Sequence, residues 1–202
     1  MRALVWNCRG AGSSLTVSQL NEFTYLHSPS IIFLCETKQK KKILDKVRSK
    51  ISFDNCFIVD SLNKSGGMAM FWRNDVNVLK VQSTAFTIEM ELRSLVSQES
   101  WWFIGIYAST EDLARRGQWK VIQRRKLLWG DCFAIAGDFN DILSNEEKWG
   151  GRMREEWTFQ DFKKFVKDNE LVDLNFVGQP WTWSNNWVGD AIMKQRLDRF
   201  FV

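Results

Sequence analysis

Short apolar runs, separated by turns that contain glycine, asparagine or serine, predict a series of β-strands along this chain. Ile31–Cys35 is apolar at every position, which indicates a strand buried on both faces. The close spacing of the runs between residues 56 and 107 favours antiparallel pairing. The predicted strands span residues 2–8, 31–35, 56–59, 68–72, 76–81, 84–92, 101–107, 133–138, 181–184 and 195–202.

Other segments carry apolar side chains at helical spacing and predict α-helices. Ser14 can cap the first of them, and Pro29 ends it. The predicted helices span residues 14–26, 38–51, 118–128 and 157–169. Strands in the interior and helices outside predict an α/β fold, most simply two β-sheets packed face to face.

Length and composition predict one domain with a substantial core. The chain has 202 residues, of which 45% are hydrophobic, and one large sandwich would use all of them. Eleven tryptophans are more than such a domain buries, so we expect some of them on the surface. The net charge of +4 is compatible with a nucleic-acid partner but does not require one.

The cysteines and the single histidine argue against several kinds of site. The cysteines show no paired spacing, which argues against a zinc or redox motif and predicts buried free thiols in a reducing compartment. They are Cys8, Cys35, Cys56 and Cys132. His27 lies at the predicted end of a helix, away from every motif, which argues against a hydrolase that uses a histidine base.

The ends and apolar runs of the sequence predict an intracellular protein. The N-terminal segment becomes polar too quickly for a signal peptide, and no apolar run approaches the length of a membrane span. We therefore expect no membrane partner. The sequence specifies no oligomeric state.

Several predicted strands end in side chains whose oxygen atoms can bind a metal ion. Asn7 ends the first strand, Glu36 follows the second, and Asp198 lies in the last. Asp138 and Asn140 follow a short apolar run and a glycine. Strands that bring such groups to one edge would form the site of a divalent-metal phosphodiesterase. Taken singly, each residue is also typical of a turn or a cap.

The residue types suggest a role for each side chain. Glu36 is the best metal candidate, since Mg²⁺ prefers one or two carboxylates, and Asn7 could steady Glu36 or a water. Asp138 and Asn140 lie two residues apart in an extended segment, which predicts that they face the same side. Asp138 could then activate water, and Asn140 could donate to a phosphate oxygen. Tyr107, at another strand end, could bind phosphate or serve in packing.

Two further segments have a binding interpretation and a structural one. Trp181 and Trp183 flank Thr182, and exposed tryptophans can stack on bases or wedge into a groove, although core packing is expected for one ring. The lysine-rich residues 38–42 could contact phosphates, although a solvated helix face is the favoured interpretation.

The order of these motifs resembles that of the endonuclease/exonuclease/phosphatase superfamily. More narrowly, the chain resembles the apurinic-endonuclease-like domain of plant LINE (non-LTR) retrotransposons, through residues 147–152, Asp173-Leu174 and Gly178. The resemblance covers essentially the whole chain. The superfamily motifs are Val5-Trp6-Asn7-Cys8-Arg9-Gly10, Leu34-Cys35-Glu36-Thr37-Lys38, Ser65-Gly66-Gly67-Met68-Ala69, Ile106-Tyr107, Gly137-Asp138-Phe139-Asn140, Trp181-Thr182-Trp183-Ser184-Asn185 and Arg196-Leu197-Asp198-Arg199.

The resemblance implies a DNase I-like, four-layer α/β sandwich with two mixed sheets between helices. It also implies Mg²⁺- or Mn²⁺-dependent hydrolysis of phosphodiesters. Glu36 and Asn7 then correspond to the metal site, and Tyr107 to a phosphate-contacting tyrosine. Asp138 and Asn140 correspond to the pair that activates water and stabilises the phosphorus centre.

The resemblance also extends to residues beside the DNA. Thr182 matches a residue near the DNA backbone, and Trp181 and Trp183 are the predicted nucleic-acid contacts around it. Asp198 resembles the aspartate that orients a catalytic histidine. Arg9 stands where apurinic endonucleases have an acidic residue, which is the retrotransposon-like pattern, and we expect it to contact DNA.

The resemblance further predicts that the single domain at 1–202 is C-terminally truncated. The catalytic histidine of the family lies in a Ser-Asp-His motif that would follow Val202, together with a final strand. Loss of a general acid/base typically costs about 10²–10⁴-fold in rate. We therefore expect weak or no activity, and poor solubility from an exposed sheet edge.

Three functional hypotheses follow. The first is the DNA endonuclease domain of a LINE-type retrotransposon, joined to a reverse transcriptase in a parent polyprotein and nuclear if active. The second is a phosphatase of the same fold that acts on a small phosphorylated molecule. The third is a catalytically dead remnant that binds nucleic acid.

Overall fold

The computed structural model describes residues 1–62 and 65–202 and has an α/β fold. Its helices are α1 Ser14–His27, α2 Lys41–Lys50, α3 Asp112–Trp129 and α4 Gln160–Asp168. Its strands are β1 Ala3–Asn7, β2 Ile31–Cys35, β3 Asn55–Val59, β4 Met68–Trp72, β5 Val78–Ser83, β6 Thr87–Arg93, β7 Ser100–Tyr107, β8 Phe133–Asp138, β9 Lys148–Trp149, β10 Trp183–Ser184, β11 Lys194–Gln195 and β12 Asp198–Phe201.

The chain forms two compact units. The first comprises Met1–Tyr107 and Ile135–Gly137, and the second comprises Ala108–Ala134 and Asp138–Val202. Each unit has a β-sheet and an apolar cluster of its own.

The first sheet of the first unit has the strand order β1-β2-β4-β3. β1 and β2 are parallel, and β4 runs antiparallel to both β2 and β3. Every residue of β2 is buried, which confirms the prediction from its continuous apolar run. Alternation along β2 sends Ile32 and Leu34 into a cluster that also contains Leu20 of α1 and Leu44 of α2. The two helices therefore cover one face of this sheet.

The other face of that sheet packs against a second sheet. There β5, β6 and β7 form an antiparallel meander, as the close spacing of their apolar runs predicted, and β8 is the next strand. The contact is close at Gly105 of β7, where an added Cβ would lie 2.3 Å from the Phe33 ring of β2. The first unit thus has a helix layer and two packed sheets, which confirms the predicted face-to-face arrangement.

Aromatic side chains form the core of the second unit. Trp119 of α3 stacks on Phe162 and Phe165 of α4, with ring centroids 5.4 and 4.7 Å apart. Phe139 meets Phe201 of β12 edge to face at 5.1 Å. Several large rings from four segments thus bury much apolar area, and such pairs add about 0.5–1.5 kcal/mol each beyond that area.

α2 and α3 begin at residues other than those predicted. α2 begins at Lys41 and not at residue 38, because Glu36 and Lys38 adopt left-handed backbone conformations (φ 53° and 54°) that a helix excludes. α3 begins at Asp112 and not at residue 118, and it includes Gly117. The Arg115–Asp112 ion pair supports this first turn, which apolar spacing does not reveal.

The C-terminal third departs most from the predicted boundaries. The strand predicted at residues 181–184 is reduced to β10, and the one at 195–202 is divided into β11 and β12. The helix predicted from 157 begins as a short 3-10 turn, Glu156–Thr158. β9 lies outside every predicted strand, and β11 pairs with both β9 and β10 in a small antiparallel sheet.

No helix in the described residues combines the length and the apolar character needed to cross a membrane.

Candidate active site

Parallel pairing of β1 and β2 brings two predicted metal ligands together in the first unit. The register places Asn7 opposite Cys35, so Glu36 follows one residue beyond that pair. The backbone N–H of Cys8 donates to the carbonyl of Cys35 at 3.1 Å and extends the pairing past the strand ends. Asn7 and Glu36 therefore lie at the same edge of one sheet, as the strand-end pattern predicted.

The Glu36 carboxylate is half-buried and forms an ion pair with Lys38. The Lys38 ammonium lies 2.8 Å from its Oε1. Hydrogen bonds hold the segment that follows β2 in place. The N–H of Lys38 donates to the carbonyl of Gly66 at 2.9 Å, and the N–H of Thr37 donates to the carbonyl of Gly67 at 3.1 Å. The Ser-Gly-Gly motif thus serves the site by its backbone.

Asn7 shapes the loop that follows β1. Its Oδ1 accepts the backbone N–H of Arg9 at 3.2 Å, and Arg9 has a left-handed conformation with φ 47°. The Arg9 side chain is exposed as a result. Burial raises the pKa of the neighbouring Cys8 thiol to about 11, so this sulfur stays protonated at neutral pH.

An open pocket of about 620 Å³ lies beside these residues in the first unit. Arg9 and Lys38 place cationic side chains on its wall, and Ser13, which caps α1, and Thr16 add hydroxyl groups. The full lining is Arg9, Gly10, Gly12, Ser13, Thr16, Lys38, Gln39 and Ile43. Such a wall suits an anionic ligand.

The lysine-rich segment does not act as one rim. Lys38 pairs with Glu36, Lys40 donates to the carbonyl of Ser61 at 2.7 Å, and Lys41 pairs with Asp45. Local contacts thus account for Lys38, Lys40 and Lys41, and of these three Lys38 also lines the pocket.

Tyr107 ends β7 and is half-buried. Its backbone N–H donates to the carbonyl of Phe86 at 2.9 Å. Gly137, the residue before Asp138, has φ 146°. A Cβ at Gly137 would lie 2.0 Å from the carbonyl oxygen of Ile106, the residue before Tyr107. Only glycine can occupy this position next to Asp138, which explains the glycine of the Gly-Asp-Phe-Asn motif.

Asp138 and Asn140 meet in the second unit, but not in the way the sequence predicted. β8 ends at Asp138, and Asn140 has φ 51°, so the segment is a turn and strand alternation does not apply. The buried Asp138 carboxylate accepts the backbone N–H of Asn140 at 2.9 Å. Asn140 Nδ2 donates to the carbonyl of Ala108 at 2.8 Å, while the Ala108 N–H donates to the Asp138 carbonyl at 2.8 Å.

Sequence reasoning missed an ion-pair cluster directly after Asn140. Asp141 is 2% exposed, and its carboxylate pairs with Arg115 at 3.2 Å and with Arg154 at 2.9 Å. Burial raises the pKa of Asp141 above its ordinary value, although both guanidinium groups act in the opposite direction. Two carboxylates near Asn140 in the sequence were the available signal, but the arginine partners are distant along the chain.

Asp198 lies on the segment next to this turn. The Phe139 N–H donates to the carbonyl of Leu197 at 3.0 Å. Thr182 Oγ1 accepts the backbone N–H groups of Leu197 and Asp198, at 2.9 and 3.0 Å. The second unit therefore brings Asp138, Asp198 and Thr182 onto adjacent segments, with Thr182 bound to the backbone of its neighbour.

The predicted aromatic contacts divide between packing and exposure. Trp183 packs against Ile142, Phe159 and Leu197, which confirms the structural interpretation for one ring, while Trp181 is half-buried. The exposed tryptophans are Trp149, Trp157 and Trp187. The expectation of surface tryptophans is confirmed, although the pattern did not identify which ones.

The retrotransposon-like residues Glu147 and Asp173 have a structural role that sequence reasoning did not find. Asp173 binds Arg196 and Arg199, at 2.7 and 2.6 Å, and Glu147 pairs with the same two arginines. Arg199 is fully buried, so the two carboxylates neutralise a charge that could not otherwise lie there.

The cysteines and the histidine only partly match expectation. Cys8 and Cys35 are buried free thiols as predicted, but Cys56 is half-buried and Cys132 is exposed. Cys132 lies in the connection between α3 and β8, where the core does not cover it. His27 occupies the last turn of α1 and is exposed, as expected of a residue outside the site.

Metal-binding groups are few. Within residues 1–62 and 65–202, no group of three or more histidine, cysteine, aspartate or glutamate side chains could hold a metal ion. Glu36 and the amide of Asn7, at the same edge of the first sheet, are the predicted metal ligands in the first unit. One carboxylate with a neutral oxygen is typical of a Mg²⁺ site that keeps several waters.

A family model and several solved structures match this chain. The model of the endonuclease/exonuclease/phosphatase family matches residues 4–202. A search of curated proteins finds no match. Among solved structures, the endonuclease domain of TRAS1, a telomere-specific non-LTR retrotransposon, is 15% identical with a TM-score of 0.71, covering 99% of this chain and 84% of that one.

Two further structures show the same fold. A 3′ phosphatase (NExo) from Neisseria, bound to a product DNA hairpin, is 15% identical with a TM-score of 0.71, covering 100% of this chain and 86% of that one. A mannosyl-6-phosphatase from Bacteroides thetaiotaomicron is 16% identical with a TM-score of 0.66, covering 98% and 84%. At these identities the likeness concerns the fold.

Proposed function

Because this chain belongs to the endonuclease/exonuclease/phosphatase family, we propose that it hydrolyses phosphodiester bonds of DNA with a divalent metal ion. The Asp138–Asn140 turn carries the proposal. It presents a buried carboxylate and an amide on one rigid backbone turn, anchored by hydrogen bonds of 2.8–2.9 Å. Such pre-organised groups suit water activation and charge stabilisation.

Glu36 and Asn7 fit a metal ion. The Glu36 carboxylate is accessible to cations, since the Lys38 ammonium already lies 2.8 Å from it. Hard oxygen donors of this kind favour Mg²⁺ or Mn²⁺. When bound, the metal would neutralise negative charge that develops on the phosphate oxygens.

The chain's own groups supply the other functions. Asp138 orients the attacking water and accepts its proton. Asn140 Nδ2 has two hydrogens, of which one is donated to the Ala108 carbonyl, so the second can donate to a non-bridging phosphate oxygen. Tyr107 contacts the phosphate through its hydroxyl, and Asp198 remains the aspartate that would orient a histidine.

Two observations favour a polymeric substrate over a small phosphate ester. The pocket beside Arg9 and Lys38 is open and cationic, which suits a phosphate backbone. Trp187 is 64% exposed, and an exposed ring can stack on a base. We therefore favour DNA, with Arg9, Thr182 and Trp181 as backbone or base contacts and Trp183 as packing support.

The finer proposal is the endonuclease domain of a LINE-type retrotransposon, whose parent polyprotein also carries a reverse transcriptase and acts in the nucleus. The buried ion-pair cluster of Glu147 and Asp173 supports it, because these are the retrotransposon-like residues of the sequence and they have a defined structural role.

A second candidate is a nucleic-acid-binding protein without catalysis. The observation that favours it is the single histidine, His27, which lies exposed at the end of α1. Hydrolysis that lacks a general acid to protonate the leaving group is typically about 10²–10⁴-fold slower.

The test is nicking of supercoiled plasmid in Mg²⁺. We expect slow nicking that falls by roughly 10²-fold or more in Asp138→Asn and Glu36→Gln, while Lys42→Gln, an exposed change on α2, retains the wild-type rate. Nicking by Asp138→Asn at the wild-type rate would refute the proposal. Salt-sensitive DNA binding without cleavage would establish the binding protein, and hydrolysis of a soluble phosphate ester alone would establish a phosphatase.

A further inference from the structure

The Arg115 side chain of the second unit forms many hydrogen bonds. It lies on α3 and is 4% exposed. Its Nη1 donates to the carbonyls of Ser109 and Thr110, at 3.0 and 3.1 Å. Nε and Nη2 both donate to Asp141 Oδ2 at 3.2 Å, and Nη2 also donates to Asp112 at 2.5 Å. All five N–H donors of the guanidinium are therefore used.

Arg115 binds groups next to the acceptor of the Asn140 side chain and also binds the residue that follows Asn140. Asn140 Nδ2 donates to the carbonyl of Ala108, and Arg115 binds the next two carbonyls along that segment. Asp141 follows Asn140 directly in the chain. The Arg115 guanidinium thus links two segments. One segment contains Ala108, whose carbonyl accepts from the Asn140 side chain, and the other contains Asp141, the residue after Asn140.

Asn140 needs such support. Its φ of 51° lies in the left-handed region, which non-glycine residues adopt infrequently and which the surroundings must support. Asp141 is itself fixed, because its Oδ1 accepts the Ile142 N–H at 3.0 Å and pairs with Arg154 at 2.9 Å.

Two arginines and two aspartates form the ion-pair cluster around Arg115. Asp112 and Asp141 balance Arg115 and Arg154, so the cluster is neutral as a whole. Removing Arg115 leaves the buried Asp141 carboxylate with Arg154 as its remaining ion-pair partner and breaks the link to the carbonyls of Ser109 and Thr110. Arg116, by contrast, is half-exposed and makes one ion pair, with Asp161.

We infer that Arg115 is a positioning residue that fixes the orientation of the Asn140 amide for the reaction proposed above, on which the inference rests. Arg115 does not contact the reacting atoms. It acts through the carbonyls of Ser109 and Thr110, which follow Ala108, and through Asp141. Its loss therefore lowers the rate of hydrolysis without weakening DNA binding.

The experiment compares Arg115→Met and Arg115→Lys with Arg116→Met as the matched control. The side-chain amide resonance of Asn140 is followed by NMR in protein labelled with ¹⁵N-asparagine, and it is assigned by its disappearance in Asn140→Asp. We expect the resonance to move to the position of a solvent-exposed asparagine in Arg115→Met. An intermediate position is expected in Arg115→Lys, and no change in the control.

The nicking assay supplies the second readout. We expect a fall in kcat on the order of 10²-fold in Arg115→Met, the usual effect of a small misplacement, with an unchanged Kd for DNA. If Arg115→Met does not fold, Arg115→Lys decides the matter. An unchanged Asn140 resonance in a folded Arg115 variant would overturn the inference. Absence of nicking by the wild type would instead refute the proposed function, because the NMR readout is independent of activity.

Discussion

At the scale of single residues, three candidate site residues share a backbone conformation that few side chains adopt. Arg9, Glu36 and Asn140 have φ values of 47°, 53° and 51°. Each such conformation costs about 1–3 kcal/mol and is typical of functional sites, where surrounding bonds impose it. Here the Asn7 side chain, the glycine carbonyls of the Ser-Gly-Gly motif and the Asp138 carboxylate supply those bonds.

Residue environment also separates the cysteines. The thiolate is the reactive form, and with a pKa of about 11 only about a thousandth of Cys8 is thiolate at pH 8. Cys132 is exposed. We predict that a thiol-reactive disulfide reagent labels Cys132 rapidly at pH 8, that Cys132→Ser removes this fast phase, and that Cys8 reacts only as pH rises towards its pKa or after unfolding. Rapid labelling of Cys8 in folded Cys132→Ser protein would show that its burial is wrong.

At the scale of elements, tertiary contacts determine features of helices and strands that the intrinsic preferences of the residues do not predict. α3 begins well before its apolar spacing suggests, because Arg115 in its second turn is anchored to Asp141 and to neighbouring carbonyls. β7 contains Gly105, which a strand normally disfavours, because the Phe33 ring of the facing sheet fills the space of a side chain.

Two glycine substitutions test this view of the elements in opposite directions. Gly117→Ala should raise the free energy of unfolding by about 0.5–1 kcal/mol, because a Cβ in the middle of α3 meets open space and the helix favours alanine. Gly105→Ala should lower it by about 1–3 kcal/mol, because its Cβ would overlap Phe33. Urea denaturation measures both, and equal effects of the two changes would contradict the packing described.

At the scale of the whole molecule, the modest net charge of +4 conceals a local arrangement. Many cations are committed to ion pairs or carbonyls, among them Lys40, Lys41 and Arg199. Arg9 and Lys38 line an open pocket, where Lys38 is also paired with Glu36. Distribution, and not total charge, is therefore what favours a polyanionic partner.

Metal binding should be visible in the stability of the whole protein. A ligand that binds only the folded state adds about 2.7 kcal/mol at a concentration of 100 Kd, which corresponds to a rise in Tm of about 5–10 °C for a protein of this size. We predict such a rise with Mg²⁺ over EDTA, its loss in Glu36→Gln, and its retention in Lys42→Gln. An equal rise in Glu36→Gln would place the metal elsewhere.

Much of the fold was predictable because it depends on local patterns. The continuous apolar run of Ile31–Cys35 predicted a strand buried on both faces, and the spacing of the later runs predicted antiparallel pairing. The junctions were not predictable, because left-handed conformations at Glu36 and Asn140 arise from hydrogen bonds to groups that are not adjacent in the local pattern.

The sequence by itself determined the family and the α/β class, because periodicity and motif order are properties of the linear chain. It also predicts the candidate site residues. Only the tertiary structure decided that Asp138 and Asn140 meet through a turn, that Thr182 binds the backbone of Asp198, and that Arg115 holds the neighbours of Asn140. These contacts join segments separated along the chain, and their geometry depends on packing that no local pattern encodes.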